Sequence, residues 1–219
     1  MNKRKIFLRI IIFFTLLNPS IFSGEYHVPG DYAAIQEAID ASENGDEIIV
    51  SPGRYRETID FKGKDIILRS TDPYDPSIIK NTIIDGQRID SVVTFSGGET
   101  PACRISGFTI TQGAGKIGGG LSGNNTRATI ENNIIIDNFG FKGIWPFGLG
   151  GGIGKCHGII RNNLICDNLA EYAGAIYWCD GSIYNNTIVE NHCKEELASG
   201  IAECEGNIKN NIIWNNGSG

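Results

Sequence analysis

Residues 158–168 read GIIRNNLICDN, with two adjacent asparagines between short aliphatic runs. Asparagine is depleted from strands and disfavoured inside helices, so a pair in the middle of an apolar segment needs an explanation. The pattern recurs as ATIENNIIIDN at 128–138, GSIYNNTIVEN at 181–191 and GNIKNNIIWNN at 206–216. The chain therefore carries an internal repeat that is marked by the asparagine pair.

The spacing of the repeat indicates a solenoid built from strands. The first asparagines stand at 132, 162, 185 and 210, and RISGFTITQG at 104–113 is a weaker copy with Gly107 in their column. Spacings of this size are typical of stacked repeats. Each unit holds three short runs, such as GAIYW, SIYN and TIVEN, which are too short for helices. We therefore predict an all-β fold, a right-handed single-stranded parallel β-helix with a short N-terminal capping helix.

In such a fold the asparagine pair lies at the sharp bend between the second and third strands of a coil. Asparagine tolerates the left-handed backbone conformation that a sharp bend requires. Stacked in consecutive coils, its side-chain amides can also hydrogen-bond along the column. We expect the flanking isoleucines and leucines to fill the bore.

The first residues are not expected to belong to this fold. The run MNKRKIFLRIIIFFTLLNPSIFSG has a basic start, an apolar centre and a small-residue exit. This pattern predicts a signal peptide at 1–23, with the β-helix at 24–219 and a secreted or cell-surface location. The alternative is a membrane anchor, but Arg9 leaves fewer apolar residues than the roughly 20 that a span needs. We therefore expect no membrane span after cleavage.

The charge of the chain excludes some partners. Lys and Arg number 19 and Asp and Glu 25, a net charge of −6. The predicted signal peptide carries four of the positive residues, so its removal leaves a still more acidic chain. Such a chain repels nucleic acids and anionic membranes, and we expect no nucleic-acid partner.

Six cysteines in an exported chain permit disulfides. Cys156, Cys179 and Cys204, however, each stand six residues before an asparagine pair. Equivalent positions of stacked coils are about 4.8 Å apart. This favours a column of small buried side chains over the alternatives, a disulfide framework or a metal site, and no CxxC motif supports the metal.

A different segment precedes the repeats. Asp31 is a candidate helix N-cap and Gly45 a candidate terminator, and strand-like runs follow at 47–50, 66–69 and 82–84. A helix here would cover the open end of the bore. The residues expected to share its inner face are Tyr32, Ile35, Ala38, Ile39 and Ser42.

The run AIQEAIDASENGDEIIVSPGRYRETIDFKGKDIILRS, 34–70, resembles the N-terminal cap and first coil of secreted bacterial β-helix proteins of the pectin-lyase-like superfamily. The later units, with GGGI, AGAI or SGI before an Asn-rich strand pair, resemble the repeats of chlamydial polymorphic outer-membrane proteins. The likeness covers roughly 26–216 and implies the fold and a bacterial exported protein. It does not imply one activity, because the architecture hosts lyases, hydrolases, esterases, epimerases and adhesins.

Catalytic sets of the superfamily do not transfer to this sequence. Polygalacturonase-like hydrolases use an adjacent aspartate pair, and the sequence contains no Asp-Asp. The Gln, Asp and Arg set of methylesterase-like enzymes is not found in register either. Arg161 shares a column with Glu131, Tyr184 and Lys209, which is expected to be a solvated surface position.

One column of carboxylates is a candidate metal site. Asp137, Asp167 and Glu190 follow the first asparagine by five residues, as does Asn215. Like charges in consecutive coils repel, and Ca²⁺ with oxygen ligands would relieve the repulsion. The similarity to calcium-dependent pectate lyases implies a basic residue that abstracts a proton, and Lys155 is the candidate for this catalytic role. The alternative is an acidic, solvated column beside a turn.

Aromatic residues nearby are candidates for substrate binding. The longest repeat contains FGFKGIWPFGLG at 139–150, and loops of this type wall the substrate groove in pectate-lyase-like proteins. Flat aromatic rings can stack on sugar faces, so we expect Trp145, Phe147, Tyr172 and Tyr177 to contact a polysaccharide. The alternative is a loop folded down to shield apolar surface.

The leading hypothesis is a secreted or cell-surface β-helix that binds or scaffolds on carbohydrate. The second is a polysaccharide lyase or glycoside hydrolase that acts in the groove of the first-strand sheet, and the third is a structural stalk or adhesin. Because IKNNIIWNNGSG ends partway through a coil, a further C-terminal module or self-association is expected at that end.

Overall fold

The computed structural model describes residues 23–140, 148–194 and 199–218. Apart from Ser23, the predicted signal peptide lies outside the described residues. Within the three ranges, no helix has the length and apolar character needed to cross a membrane.

Short strands form almost all of the regular structure in these ranges. In chain order the elements are β1 (Glu25–Val28), α1 (Ile35–Ala41), β2 (Glu47–Val50), β3 (Gly53–Tyr55), β4 (Ile59–Asp60), β5 (Ile67–Ser70), α2 (Pro76–Asn81), β6 (Thr82–Asp85), β7 (Val93–Thr94), β8 (Arg104–Ser106), β9 (Thr109–Thr111), β10 (Leu121–Thr126), β11 (Thr129–Glu131), β12 (Ile134–Ile136), β13 (Ile153–Cys156), β14 (Ile159–Arg161), β15 (Leu164–Cys166), β16 (Leu169–Ala170), β17 (Ile176–Tyr177), β18 (Ser182–Tyr184), β19 (Thr187–Val189), β20 (His192–Cys193), β21 (Ile201–Ala202), β22 (Asn207–Lys209), β23 (Ile212–Trp214) and β24 (Gly217–Ser218).

Three long parallel sheets run the length of the molecule. The first-strand sheet has the order β4-β7-β10-β13-β17-β21, and the second-strand sheet β1-β2-β5-β8-β11-β14-β18-β22. The third-strand sheet has the order β3-β6-β9-β12-β15-β19-β23. A small fourth sheet, β16-β20-β24, was not predicted from the sequence.

The register shows that equivalent strands of consecutive coils pair with each other. Ile160 of β14 pairs in parallel with Ile130 of β11 on one side and with Ile183 of β18 on the other. The same step from coil to coil recurs in the other two long sheets. The chain is therefore a parallel β-helix, as the asparagine spacing predicts.

Aliphatic side chains fill the bore, one column for each sheet. The columns are fully buried in the central coils and become exposed at Ile208 and Ile213 of the last described coil. Every buried isoleucine contributes roughly 1.5–3 kcal/mol to stability. The column of the second-strand sheet is Ile105, Ile130, Ile160 and Ile183, and that of the third-strand sheet is Ile110, Ile135, Ile165 and Ile188.

The first asparagine of each pair forms the corner between the second and third strands. The φ angles are 56° at Asn132, 55° at Asn162, 56° at Asn185 and 54° at Asn210, all in the left-handed region. Gly107 has a φ of 84° in the same column. The predicted corner role is confirmed, and it explains why asparagine or glycine stands at this position.

The second asparagine of each pair forms a buried ladder. Asn163 accepts a hydrogen bond at Oδ1 from the backbone N–H of Asn133, at 3.0 Å. Its Nδ2 donates to Asn186 Oδ1 at 3.0 Å and to the carbonyl of Ile130 at 3.0 Å. Each amide thus joins three coils and satisfies backbone groups that a sharp bend would leave unpaired.

A second ladder of the same kind lies after the third strand of each coil. This second ladder was not predicted from the sequence. Asn138 Nδ2 donates to Asn168 Oδ1 at 3.0 Å, and Asn168 Nδ2 to Asn191 Oδ1 at 2.9 Å. Asn191 Nδ2 donates in turn to Asn216 Oδ1 at 2.9 Å. The signal was in the sequence, because each of these asparagines ends a repeat and follows a residue that also adopts a left-handed φ.

Cysteines occupy the corner between the first and second strands, where the side chain of one coil accepts a hydrogen bond from the backbone of the coil before it. The backbone N–H of Cys156 donates to Cys179 Sγ at 3.3 Å, and that of Cys179 to Cys204 Sγ at 3.1 Å. Cys156 and Cys179 are buried and Cys204 is partly buried, so the predicted column of stacked cysteines is confirmed. All six cysteines are free thiols, and the disulfide alternative is not seen. Each of the three cysteines of this column follows a residue with a φ between 51° and 54°, namely Lys155, Trp178 or Glu203.

The N-terminal helix forms where it was expected but begins later. Its N-cap is Ala34 and not Asp31, whose carboxylate instead accepts a bond from His27 N–H at 2.8 Å. The first helical N–H groups are satisfied from outside the helix, because the Glu57 carboxylate accepts from Ile35 and Gln36 at 3.0 Å each. The predicted inner-face residues Ile35, Ala38 and Ile39 are fully buried.

Helix α2 was not predicted. It replaces the asparagine corner between β5 and β6, and Asp75 caps it by accepting the N–H of Ser77 at 2.7 Å. The strand expected at 47–50 has those bounds, and those expected at 66–69 and 82–84 are displaced or extended by one residue.

Candidate functional site

A solvent-exposed tryptophan lies at the corner between the first and second strands. Trp178 is 44% exposed and follows β17, in the column of Lys155 in the coil before and of Glu203 in the coil after. The ammonium of Lys155 lies 4.6 Å from the centroid of its ring. A left-handed backbone on a rigid corner and a cation on one face hold the indole in place.

Of the two tyrosines predicted to contact a substrate, Tyr177 lies beside Trp178, and the substrate contact itself stays a prediction. The ring of Tyr177 meets that of Trp178 edge-on, with centroids 6.4 Å apart. Burial raises the pKa of the Tyr177 phenol, and Glu203 and Tyr172 raise it further. The two predicted tyrosines are therefore close enough to influence each other.

The aromatic pair forms one wall of a pocket of about 250 Å³. Lys155 is not part of the lining, which lies towards the following coil. The chemical character of the pocket is aromatic and acidic. Its lining residues are Tyr177, Trp178, Asp180, Glu203 and Glu205.

Hydrogen bonds fix the acidic side of the pocket. The backbone N–H of Asp180 donates to His157 Nδ1 at 3.1 Å, which leaves the ring proton on Nε2, where Asn125 Oδ1 lies at 3.1 Å. The carboxylate of Asp180 accepts the backbone N–H of Glu205 at 3.0 Å. Asp180 is thus positioned by both neighbouring coils.

The carboxylate column lies at another corner. Asp137, Asp167 and Glu190 all have left-handed φ angles of 53–55° directly after the third-sheet strands. One oxygen of Asp137 bonds to Arg88 Nη2 at 2.6 Å, and the other accepts from the side-chain amide of Gln112. The first carboxylate of the column is therefore already paired with a cation.

The predicted calcium ligands do not fit a metal ion as they stand. Within the described ranges, no group of three or more His, Cys, Asp or Glu side chains is arranged to hold one. The guanidinium of Arg88 also relieves the repulsion that motivated the calcium prediction. No step that uses calcium follows from this arrangement.

Lys155 does not share a corner with those carboxylates. It lies in β13 of the first-strand sheet, whereas Asp167 follows β15 in the third-strand sheet. Its ammonium contacts the indole of Trp178. The proposed role of Lys155 as a catalytic base remains a prediction without a carboxylate partner from that column.

Two of the predicted sugar contacts cannot be placed. Trp145 and Phe147 lie in 141–147, outside the described residues. The adjoining backbone at Gly148 accepts a bond from the N–H of Tyr172 at 3.1 Å, so this part of the chain returns beside the predicted tyrosines.

The column of Glu131, Arg161, Tyr184 and Lys209 was predicted to be a solvated surface position, and for Glu131 this prediction is wrong. Glu131 is only 3% exposed, and its carboxylate bonds to Arg161 Nε at 2.5 Å. Arg161 Nη1 also donates to the hydroxyl of Tyr184 at 3.1 Å, and Lys209 Nζ lies 5.6 Å from the Tyr184 ring centroid. A buried carboxylate needs such partners, because an unpaired one would be costly.

Four residues that line the pocket were not predicted from the sequence, namely Trp178, Asp180, Glu203 and Glu205. A usable signal was that Lys155, Trp178 and Glu203 each precede a cysteine of the stacked column. No family model, curated protein or solved structure matches the chain.

Proposed function

We propose that the protein binds carbohydrate through the pocket beside Trp178. The observation that carries the proposal is an exposed indole held rigidly at the rim of a pocket that also contains hydrogen-bonding side chains. An aromatic face provides apolar contact for the C–H groups of a sugar ring, while carboxylates accept bonds from its hydroxyls. Binding sites commonly combine an apolar wall with a few polar groups that fix orientation.

The charge of the pocket narrows the choice of sugar. Asp180, Glu203 and Glu205 bring three carboxylates to one side of the indole. Uronate residues would be repelled by these carboxylates, whereas the hydroxyl groups of a neutral saccharide can donate hydrogen bonds to them. A neutral glycan is therefore the proposed ligand, in place of the uronate polymer that a pectate-lyase-like reading implies.

The biological setting belongs to the same proposal. The resemblance of 34–70 to caps of pectin-lyase-like proteins, together with the apolar N-terminal run, supports an exported β-helix that attaches to a surface glycan. A stiff solenoid displays its corner side chains at fixed spacing, which suits a scaffold.

The test is calorimetric titration with neutral hexose oligomers and with uronate oligomers of equal length. We expect binding of a neutral oligomer by the natural protein and at least tenfold weaker binding by Trp178→Ala, equivalent to about 1.4 kcal/mol. The matched control is Trp214→Ala, because Trp214 is 66% exposed on the third-strand sheet and lies outside the pocket. Unchanged affinity in Trp178→Ala, or binding of no saccharide, refutes the proposal and favours a stalk or adhesin.

A further inference from the structure

The pocket beside Trp178 holds more negative charge than its neighbours compensate. Asp180, Glu203 and Glu205 all line it, and all three residues are exposed. The carboxylate of Asp180 has a conditional partner, because His157 Nδ1 lies 3.4 Å from its Oδ2 and the ring is charged only when it is protonated. Neither glutamate forms an ion pair with any residue that the structure describes. The pocket therefore has at least two carboxylates without a cation.

The stacking of the coils brings these carboxylates close together. The backbone N–H of Glu205 donates to Asp180 Oδ1 at 3.0 Å, so the two residues occupy equivalent positions of consecutive coils. Glu203 is in turn the equivalent of Trp178 in the following coil, because Tyr177 pairs with Ala202. Equivalent positions of parallel strands are about 4.8 Å apart. Like charges at such spacings repel, and a bound cation would relieve the repulsion.

An ammonium group suits this lining better than a metal ion. A metal ion needs several ligand atoms that converge on one point, and in the described ranges no group of three or more His, Cys, Asp or Glu side chains is arranged in this way. An ammonium group makes no such demand. Its three N–H donors point in different directions, so they can reach carboxylates that are spread along the wall of a pocket.

The aromatic wall of the pocket also favours an ammonium group. The indole of Trp178 already contacts one, because Lys155 Nζ lies 4.6 Å from its centroid, and such contacts are attractive. Lys155 approaches from the preceding coil, whereas the pocket lies towards the following coil. On that side Glu203 acts on the aromatic wall, since burial raises the pKa of the Tyr177 phenol and Glu203 raises it further. The pocket side of the indole is therefore acidic.

From these observations we infer that the glycan bound beside Trp178 contains a hexosamine unit with a free, protonated amino group. The inference rests on the proposed function and adds one positive charge to an otherwise neutral glycan. The apolar face of the sugar ring packs on the indole. The ammonium at the edge of the ring donates to the carboxylates of Asp180, Glu203 and Glu205, where a neutral sugar would place a hydroxyl group. Hydrogen bonds between two charged groups are stronger than those of a hydroxyl group.

The experiment is calorimetric titration with three tetrasaccharides of the same linkage. The first is a neutral hexose tetramer, the second contains one hexosamine unit, and the third is the second with its amine acetylated, which removes the charge but keeps the nitrogen. At about pH 6.5 an amine is protonated and exposed carboxylates are ionised. We expect the hexosamine tetramer to bind at least fivefold more tightly than either neutral tetramer at low salt. In about 0.5 M NaCl the difference should fall below twofold, because salt screens exposed charges.

Variants of the protein test which carboxylates provide the preference. We expect Glu203→Gln and Glu205→Gln each to lower the ratio of the hexosamine affinity to the acetylated affinity at least twofold. Both residues are exposed, so glutamine fits in their place. The matched control is Glu190→Gln, because Glu190 is an exposed glutamate with a φ of 55°, close to the 51° of Glu203, and lies at another corner outside the pocket. It should leave the ratio unchanged.

The outcomes separate this inference from the proposed function. Equal affinity for the three tetramers, with binding lost in Trp178→Ala, overturns the inference and leaves the proposed function standing. Binding of none of the tetramers refutes the proposed function and the inference together. Two further results overturn the inference alone. One is an equal fall of the ratio in Glu190→Gln and Glu203→Gln, which would assign the preference to the overall charge, and the other is a capped lysine peptide that binds as tightly as the hexosamine tetramer.

Discussion

Replacing Asn163 by alanine removes one rung from the buried ladder between the second and third strands. Asn163 is 2% exposed, so no water takes over its hydrogen bonds in the folded protein. The substitution removes the acceptor of the Asn133 backbone N–H and one of the two acceptors of Asn133 Nδ2, which still donates to the Ile105 carbonyl. It also removes the donor to the Ile130 carbonyl and to Asn186 Oδ1.

The expected cost follows from these lost partners. Leaving the buried N–H of Asn133 unsatisfied costs about 1–3 kcal/mol, and each further lost bond about 0.5–1.5 kcal/mol net. Because the buried amide of Asn163 is itself removed, part of this is recovered, and we expect a loss of about 2–4 kcal/mol in the free energy of unfolding.

The neighbouring residue provides the control. Asn162 is exposed and acts through its φ of 55°, so Asn162→Ala is expected to cost about 1 kcal/mol, the strain of a left-handed alanine. Urea unfolding followed by circular dichroism measures both losses, and amide exchange at Asn133 reports the lost bond directly. If Asn162→Ala destabilises as much as Asn163→Ala, or exchange at Asn133 is unchanged, the ladder does not hold the corner.

Three further predictions concern other columns. Burial and the neighbouring Asp167 raise the pKa of Cys166 to about 12, from an ordinary 9.0. Its thiol should therefore react with iodoacetamide at pH 8 about a thousandfold more slowly in the folded protein than in urea, and equal rates would contradict this. Gly181→Ala would place a Cβ 1.9 Å from the Gly158 carbonyl oxygen, so we expect a loss of about 3 kcal/mol in chemical unfolding, and a loss below about 1 kcal/mol would refute the close approach. Glu131→Gln leaves the guanidinium groups of Arg161 and Arg104 without their shared carboxylate. We therefore expect the free energy of unfolding, measured by thermal unfolding, to fall by about 1–3 kcal/mol. An unchanged midpoint temperature would show that the two ion pairs of Glu131 do not stabilise the protein.

Much of the fold could be predicted from the sequence, because each corner of the coil admits only a few residue types at one fixed position. A left-handed corner admits few residues, so Asn132 and its equivalents recur at a fixed place and reveal the coil length. The cysteine column was recognisable for the same reason. The second ladder has an equally regular pattern, with Asn138 and its equivalents six residues after the first asparagine of each pair.

Other features depend on contacts that spacing does not reveal. The N-cap was misplaced because Glu57, distant in sequence, satisfies the first N–H groups of α1. Arg88 reaches Asp137 from a different coil and partly neutralises the carboxylate column. The sequence of the repeat that contains Asp137 does not reveal this ion pair. Trp178 became a site candidate only when its exposure and the Lys155 contact were known.

The most direct test of the stacked coils is a pair of double-mutant cycles in urea unfolding. Asn163 and Asn186 are 23 residues apart but bonded, with Nδ2 and Oδ1 at 3.0 Å. Asn163 and Asn168 belong to one coil but to different ladders. Coils in contact predict a coupling energy of about 1 kcal/mol for alanine substitutions at 163 and 186, and less than about 0.5 kcal/mol at 163 and 168. Coupling that is absent in the first pair, or larger in the second, would contradict the fold.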